Sequence, residues 1–212
     1  MVDGDTVCSE TDESAPVFGK RTTMLTSVSA YVLAGGYSRR FGTDKALYQY
    51  DGQSLIRYSL ELLTRKFPSV SIVAKDAGDY EWLGYPVVAD IVDQQNPLVG
   101  VLSGMVNSNT DWNYFHACDL PFIQSGVFDI IVDKFDSIDD GAQALLPLTD
   151  KGVQPLAGFY HKNIIDSLRE AIHGNLSVKK WVNTLTVRTV NFGNAMSFCN
   201  INTVKDLDAV TA

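Results

Sequence analysis

Seven residues, Ser27-Val28-Ser29-Ala30-Tyr31-Val32-Leu33, run unbroken into Ala34-Gly35-Gly36, and this junction constrains the fold more than any other stretch. A short apolar, β-branched run that stops at glycines reads as a buried strand delivered into a tight loop. The same alternation of apolar runs and turn signals then continues along the chain.

After the Asp51-Gly52 turn signal, Ser54 is placed to cap a helix in which Ile56, Leu60, Leu63 and Phe67 recur at helical spacing before Pro68. Strands are expected at 70–74 and 85–89, separated by a turn-rich stretch around Gly78 and a short helix near Trp82. The small-residue turn from Pro97 to Gly104 opens a helix reaching about Asn107. The aromatic run 112–117 reads as a strand ending at Cys118-Asp119 and closed by Pro121. A helix at 125–135, strands at 143–148 and 154–160, helices at 163–172 and 177–185, a strand at 186–190 and a helix at 203–210 complete the body. Strands alternating with helices predict an α/β fold: a single doubly wound domain whose mainly parallel sheet carries helices on both faces. The later strands, close in sequence, can add antiparallel members to the same sheet. Residues 28–212 form this expected domain. Residues 1–27, polar, without periodicity and containing Pro16 and Gly19, read as a flexible tail.

Composition narrows the function classes. The chain has 45% hydrophobic residues and a mean hydropathy near zero, with no apolar run as long as a membrane span, which is the balance of a globular protein. Cys8, Cys118 and Cys199 lie far apart with no C-x-x-C or Cys/His ligand spacing, which argues against a disulfide framework or a zinc site and fits a reducing compartment. The first thirteen residues hold five acids and no basic residue, unlike a secretory signal, so a cytoplasmic location is expected. A net charge of -8 disfavours broad binding to nucleic acid or an anionic membrane, so an anionic ligand requires a local basic site. Arg39, Arg40 and Lys45 supply one, three positive charges within seven positions interrupted by a single acid, Asp44.

Leu33 to Lys45 therefore combines a strand end, the glycines Gly35, Gly36 and Gly42, and three cations. Close backbone approach at glycine lets N–H groups cradle phosphate oxygens. The cations can neutralise a triphosphate and the charge that develops as its α-phosphorus is attacked. The spacing fits neither the G-x-G-x-x-G dinucleotide fingerprint nor the G-x-x-x-x-G-K-[ST] loop.

Leu33-Ala34-Gly35-Gly36-Tyr37-Ser38-Arg39-Arg40-Phe41-Gly42-Thr43-Asp44-Lys45 does resemble the signature segment of the nucleotidyltransferases that include the molybdenum cofactor guanylyltransferases. The resemblance continues in order through Val88-Ala89-Asp90, Pro97-Leu98-Val99-Gly100, Ala117-Cys118-Asp119-Leu120-Pro121, Gln154-Pro155-Leu156-Ala157 and Asn200-Ile201-Asn202-Thr203, covering residue 28 to the end. It implies a Rossmann-like nucleotidyltransferase fold and transfer of GMP from GTP to the phosphate of molybdenum-molybdopterin, with pyrophosphate released. It further implies Mg²⁺ as cofactor and transient contact with molybdoenzymes.

By this resemblance Lys45, Arg39, Arg40 and Asp119 carry catalysis. Leu33, Ala34, Gly35, Gly36, Asp90, Pro97, Leu98 and Gly100 join Lys45 and Asp119 in holding the nucleotide. A carboxylate at the strand end, Asp119, can ligate Mg²⁺ whose remaining positions are filled by phosphate oxygens and water. Asn202 is the second metal candidate, or else marks a helix N-terminus. Asp90 can accept from guanine N1–H and the exocyclic amine. Lys179 and Lys180, in the region resembling the pterin-phosphate site, are acceptor-binding candidates, and the pair equally fits a solvated helix face. His116 and His161 have no partner readable in sequence and are expected to pack or to face solvent, and Cys118 to pack beside the metal turn. One departure concerns the second strand, where Ala74 takes a position that is often polar in the family, so a base contact there shifts or is lost. Related chemistry with CTP or another phosphorylated acceptor, and a catalytically silent nucleotide-binding module, are the alternatives.

Overall fold

The computed structural model describes residues 24–34, 44–193, 198–201 and 206. The expected helix at 203–210 and Cys8 lie outside them, apart from the single residue 206. The described strands are β1 (Val28–Leu33), β2 (Gln49–Tyr50), β3 (Gln53–Ser54), β4 (Val70–Ala74), β5 (Val87–Ala89), β6 (Trp112–Ala117), β7 (Ala144–Thr149), β8 (Gly152–Val153), β9 (Ala157–His161) and β10 (Val187–Gly193). The helices are α1 (Leu55–Thr64), α2 (Pro97–Asn107), α3 (Ser125–Phe135), α4 (Ile165–His173) and α5 (Val178–Val182).

The main sheet runs in the order β10-β7-β9-β6-β1-β4-β5, with β8 hairpinned onto β7. β1 pairs in parallel with both β4 and β6, and β10 with β7, whereas β9 runs antiparallel to β6 and β7. The sheet is thus mainly parallel, as expected, and its antiparallel insertion comes from the late strands.

Side-chain alternation splits the core into two layers. Val28, Ala30 and Val32 of β1 join Ile56, Leu60 and Leu63 of α1 and Phe128 and Ile131 of α3 on one face. Tyr31 and Leu33, one residue out of phase, join Leu98, Val101 and Leu102 of α2 and Leu168 of α4 on the other. The period of two in a strand produces this split, and burial on both faces explains why β1 is apolar throughout.

Gly104 of α2 is tightly enclosed: a Cβ there would lie 2.7 Å from Phe115 Cε1 and 3.2 Å from Tyr31 Cγ. Phe115 is stacked on Tyr31 with ring centroids 5.2 Å apart, so it has little room to yield. Alanine gains about 1 kcal/mol of helix propensity, but overpacking costs about 1–3 kcal/mol. Gly104→Ala is therefore expected to lose about 1 kcal/mol net in urea denaturation, and a gain in stability would contradict this packing.

Local expectations were met with some corrections. Ser54 does occupy the N-cap position of α1, but its side chain makes no capping bond, and its buried hydroxyl has no partner among the described residues. Phe67 lies beyond the helix end and is buried in the first layer. The strand expected at 154–160 begins only at Ala157, because Pro155 has no N–H to give the ladder. The helix expected at 177–185 is the single short α5. Asp51-Gly52 makes a hairpin turn with φ of 45° and 83°, the backbone of a two-residue primed turn, joining β2 to β3. At the N-terminal side, Leu25 N–H donates to Lys66 O at 2.7 Å and Leu25 packs against the first core layer.

Candidate active site

The strand order turns back at β1. The chain goes from β1 through α1 to β4 and β5 on one side, then crosses by α2 to β6 on the other. In open α/β sheets a crevice forms at such a switch point, outside the carboxyl ends of the two strands. Here those ends are Leu33-Ala34 and Ala117-Cys118-Asp119, clipped together where Cys118 N–H donates to Leu33 O at 3.1 Å.

Lys45 reaches this place from a short 3₁₀ turn, Lys45–Leu47, that follows the glycine segment. Its Nζ lies 3.6 Å from Asp119 Oδ2, with the two side chains 12% and 28% exposed. Two residues 74 positions apart in sequence thus form one charged pair at the switch point. Burial pushes the Asp119 carboxyl up from its ordinary value, and the Lys45 ammonium opposes that shift.

Three supports hold the Asp119 turn. Ile201 N–H donates to Asp119 O at 2.9 Å, which brings the C-terminal segment to the turn. Ala117 N–H donates to Leu156 O at 2.8 Å, which explains the Gln154-Pro155-Leu156 stretch as a brace. Below it, fully buried His116 bonds through Nε2 to Leu120 O at 3.1 Å. Burial lowers the His116 pKa to about 4, so at neutral pH the ring is uncharged and Nε2–H is the donor to the carbonyl. Cys118 is pushed up to about 12 by burial and by the neighbouring Asp119, so it stays a thiol and is unsuited to nucleophilic attack. His161 accepts from Asn163 N–H at 3.2 Å and packs edge-on to Trp112. Both histidines and Cys118 thus take the packing roles expected of them.

A second group of residues converges beside the pair. Asp90 follows β5, and its N–H donates to Ala74 O at 3.0 Å. A Cβ on Gly100 would lie 3.2 Å from Leu33 Cδ2 and 3.9 Å from Asp90 Oδ1, so Leu33, Gly100 and Asp90 meet where glycine leaves room. Asp90 Oδ1 is shielded from solvent and has no hydrogen-bond partner among the described residues. Burial pushes the carboxyl up, against weaker pulls from the Ser103 hydroxyl and the Lys75 ammonium. Ala74 has its side chain buried in the first core layer, so only its backbone faces this group of contacts.

α2 starts beside Asp90 with Pro97 at its first turn and Asn96 as cap, whose side chain accepts from Leu98 N–H at 3.0 Å. Pro97 is exposed, whereas Leu98 is fully buried in the second layer, so Leu98 can serve a ligand through its backbone alone. The loop ahead of α2 is stitched to the α4–α5 connection: Gln94 donates to Ile172 O at 3.1 Å and Asn96 to Leu176 O at 3.0 Å. Lys179 and Lys180 follow on α5, both exposed, behind a Ser177 cap.

Gly35, Gly36, Arg39, Arg40 and Asn202 lie outside the described residues, while Ala34 and Ile201, which adjoin two of them, are held at the site as stated. No group of three or more His, Cys, Asp or Glu side chains that could hold a metal occurs among the described residues. A single partly exposed carboxylate suits Mg²⁺, which keeps waters and takes substrate phosphates as ligands more readily than it accepts an all-protein cage. Sequence reading did not single out Tyr80 or Phe122. The Phe122 ring lies 5.4 Å from both Tyr50 and Tyr58, which braces the β2–β3 hairpin against the Asp119 turn.

Comparison with known proteins agrees with this fold. The model of the MobA-like NTP transferase domain matches residues 30–189. A probable molybdenum cofactor guanylyltransferase of Nostoc sp. is 32% identical over 189 residues, 88% of this chain and 91% of the relative. The molybdenum cofactor guanylyltransferase of Desulfosudis oleivorans is 28% identical over 197 residues, covering 89% of this chain and 96% of its own. The solved structure of molybdopterin-guanine dinucleotide biosynthesis protein A from Archaeoglobus fulgidus shares the fold, with a TM-score of 0.72 at 24% identity over 86% of this chain and 96% of that one.

Proposed function

This chain belongs to the family of MobA-like NTP transferase domains, and on that footing we propose that it transfers GMP from GTP to the terminal phosphate of molybdenum-molybdopterin, yielding the guanine dinucleotide cofactor and pyrophosphate. The observation that carries the reading is the Lys45–Asp119 pair at the switch point, 3.6 Å apart, in which Lys45 closes the glycine segment and Asp119 follows β6. The relatives that span most of the chain bear the name of this activity.

In the proposed reaction an oxygen of the acceptor phosphate forms a bond to the α-phosphorus of GTP. The bond from that phosphorus to the α,β-bridging oxygen breaks, and pyrophosphate leaves with the electron pair. The nucleophile is already an anion, so no side-chain base or covalent intermediate is needed. Lys45, with Arg39 and Arg40, neutralises the triphosphate and the charge building on it, while the glycine segment holds it in line. Asp119, with Asn202, would hold Mg²⁺, which when bound supplies further neutralisation of the phosphate oxygens. Lys179 and Lys180 attract the acceptor's phosphate. A cytoplasmic location and transient contact with molybdoenzymes belong to the same proposal, as does the division into a tail at 1–27 and a transferase domain at 28–212. No described helix is long and apolar enough to cross a membrane.

Guanine selection is assigned to Asp90, which stands beside Leu33 and Gly100 and whose Oδ1 has no hydrogen-bond partner among the described residues. Guanine offers two adjacent donors to a carboxylate, and cytosine does not present them in the same way. Asp90→Ala is expected to raise KM for GTP and cut the preference for GTP over CTP about tenfold or more, while pyrophosphate release at saturating GTP falls less. Competition assays with the two nucleotides decide this. An unchanged preference would move base recognition elsewhere, and a wild-type preference for CTP would overturn the choice of nucleotide.

A further inference from the structure

An acid inside a triphosphate grip is an anomaly, because Asp44 precedes the lysine that must meet phosphate. Its geometry explains it. Asp44 Oδ1 accepts from Ala46 N–H at 3.0 Å and so caps the turn that carries Lys45. The other oxygen, Oδ2, accepts from the hydroxyl of Tyr80, which comes from the 3₁₀ turns between β4 and β5. The same hydroxyl lies 3.3 Å from Ala34 O. A phenol has one proton to give, and the close charged acceptor takes it, leaving the Ala34 contact secondary. Tyr80 is 3% exposed, packed in the first core layer with Leu83 and Ala34, so its position is set by the core. Burial and the adjacent Asp44 push its pKa far up, which keeps the proton on the phenol as donor.

One buried hydroxyl therefore touches the residues on both sides of segment 35–43 and holds the carboxylate that shapes the Lys45 turn. Both oxygens of Asp44 are engaged by donors. The Lys45 ammonium pairs with Asp119 across the switch point.

We propose that Tyr80 is a positioning residue for the Lys45–Asp119 pair, acting through Asp44: it fixes the direction in which Lys45 leaves the chain and withholds Asp44 from its ammonium. The consequence for nucleotide transfer rests on the function proposed above, whereas the consequence for Lys45 itself does not.

The test uses the full chain with Tyr80→Phe, which keeps the ring and removes the hydroxyl, alone and combined with Asp44→Asn. The first readout needs no substrate: the rate at which an amine-acylating reagent modifies Lys45, followed by peptide mass spectrometry. Tyr80→Phe is expected to change that rate about threefold or more, with the other described lysines altered little. The second readout is steady-state pyrophosphate release, where kcat should fall about tenfold with a smaller change in KM for GTP. Because Tyr80 acts through Asp44, the double variant should be no worse than the more impaired single one. Unchanged Lys45 labelling in Tyr80→Phe overturns the proposal, as do effects of the two substitutions that simply multiply. If Tyr80→Phe folds poorly, Asp44→Asn alone serves, and unchanged Lys45 labelling there overturns the proposal equally. A wild-type protein that does not turn over GTP would refute the proposed function, while the labelling result would still decide the role of Tyr80.

Discussion

Asp119→Ala and Lys45→Ala should each reduce turnover by about a hundredfold or more while leaving the fold intact. Electrostatic groups aimed at developing charge are commonly worth about 10²–10³ in rate. These two face each other at the switch point, so each substitution also removes this ion pair from the other. The stability side separates loss of function from loss of structure. Burial raises the Asp119 pKa despite Lys45, which means that ionising this carboxyl works against the folded state at neutral pH. Asp119→Asn, which keeps the shape and removes the charge, is therefore expected to unfold at the same or a higher denaturant concentration than wild type. Purified variants compared by pyrophosphate release and urea denaturation test both halves. Near-normal rates in either alanine variant would remove this pair from the catalytic site. A marked loss of stability in Asp119→Asn would show that the pair is instead structural.

The second large effect is on acid stability. His116 is fully buried, with its pKa depressed from 6.5 to about 4. Between those values the unfolded chain binds a proton that the folded chain refuses, so stability falls as pH drops below 6.5 and the loss is complete near pH 4. At about 1.4 kcal/mol per unit, the whole window amounts to about 3 kcal/mol, a large share of the ~5–15 kcal/mol stability of a typical domain. His116→Gln offers a donor for Leu120 O but does not titrate. Its stability should decline less steeply than wild type between pH 6.5 and 4.5, by about 1.4 kcal/mol per unit. Parallel pH profiles would exclude His116 as the source of acid sensitivity. Because the same ring supports the carbonyl next to Asp119, His116→Gln should also reduce turnover modestly at neutral pH.

Much of the architecture was readable before any coordinates because it is written in local pattern. β1, β4 and β6 are runs buried on both faces, bounded by glycine or proline, and α2 and α3 start where small or capping residues sit. The meeting place of Lys45 and Asp119 was readable in part, since Asp119 lies just after the end of a central strand and Lys45 closes the glycine segment that follows another, and the topology gathers ligands at such ends. Tyr80 was not. Its partners Asp44 and Ala34 are 36 and 46 residues away, and nothing in Tyr80-Glu81-Trp82 distinguishes that hydroxyl from an ordinary one. The β2–β3 hairpin has strands of two residues, too short to show alternation, although its Asp51-Gly52 turn was visible. The cap of α2 at Asn96 and the bare Ser54 at α1 show the same limit. A capping residue type marks a helix start, but only tertiary packing decides whether its side chain makes the bond. For Arg39, Arg40 and Asn202, outside the described residues, the assigned roles rest on charge, spacing and family resemblance.

Pyrophosphate release from GTP, measured with the purified chain against molybdenum-molybdopterin and Mg²⁺ added or omitted in turn, tests the guanylyltransferase assignment most directly. The expected result is release that requires all three components and yields one guanine dinucleotide per pyrophosphate. Release that proceeds with CTP but not GTP, or with a sugar phosphate in place of the pterin, or binding of GTP with no release at saturating Mg²⁺, would contradict it.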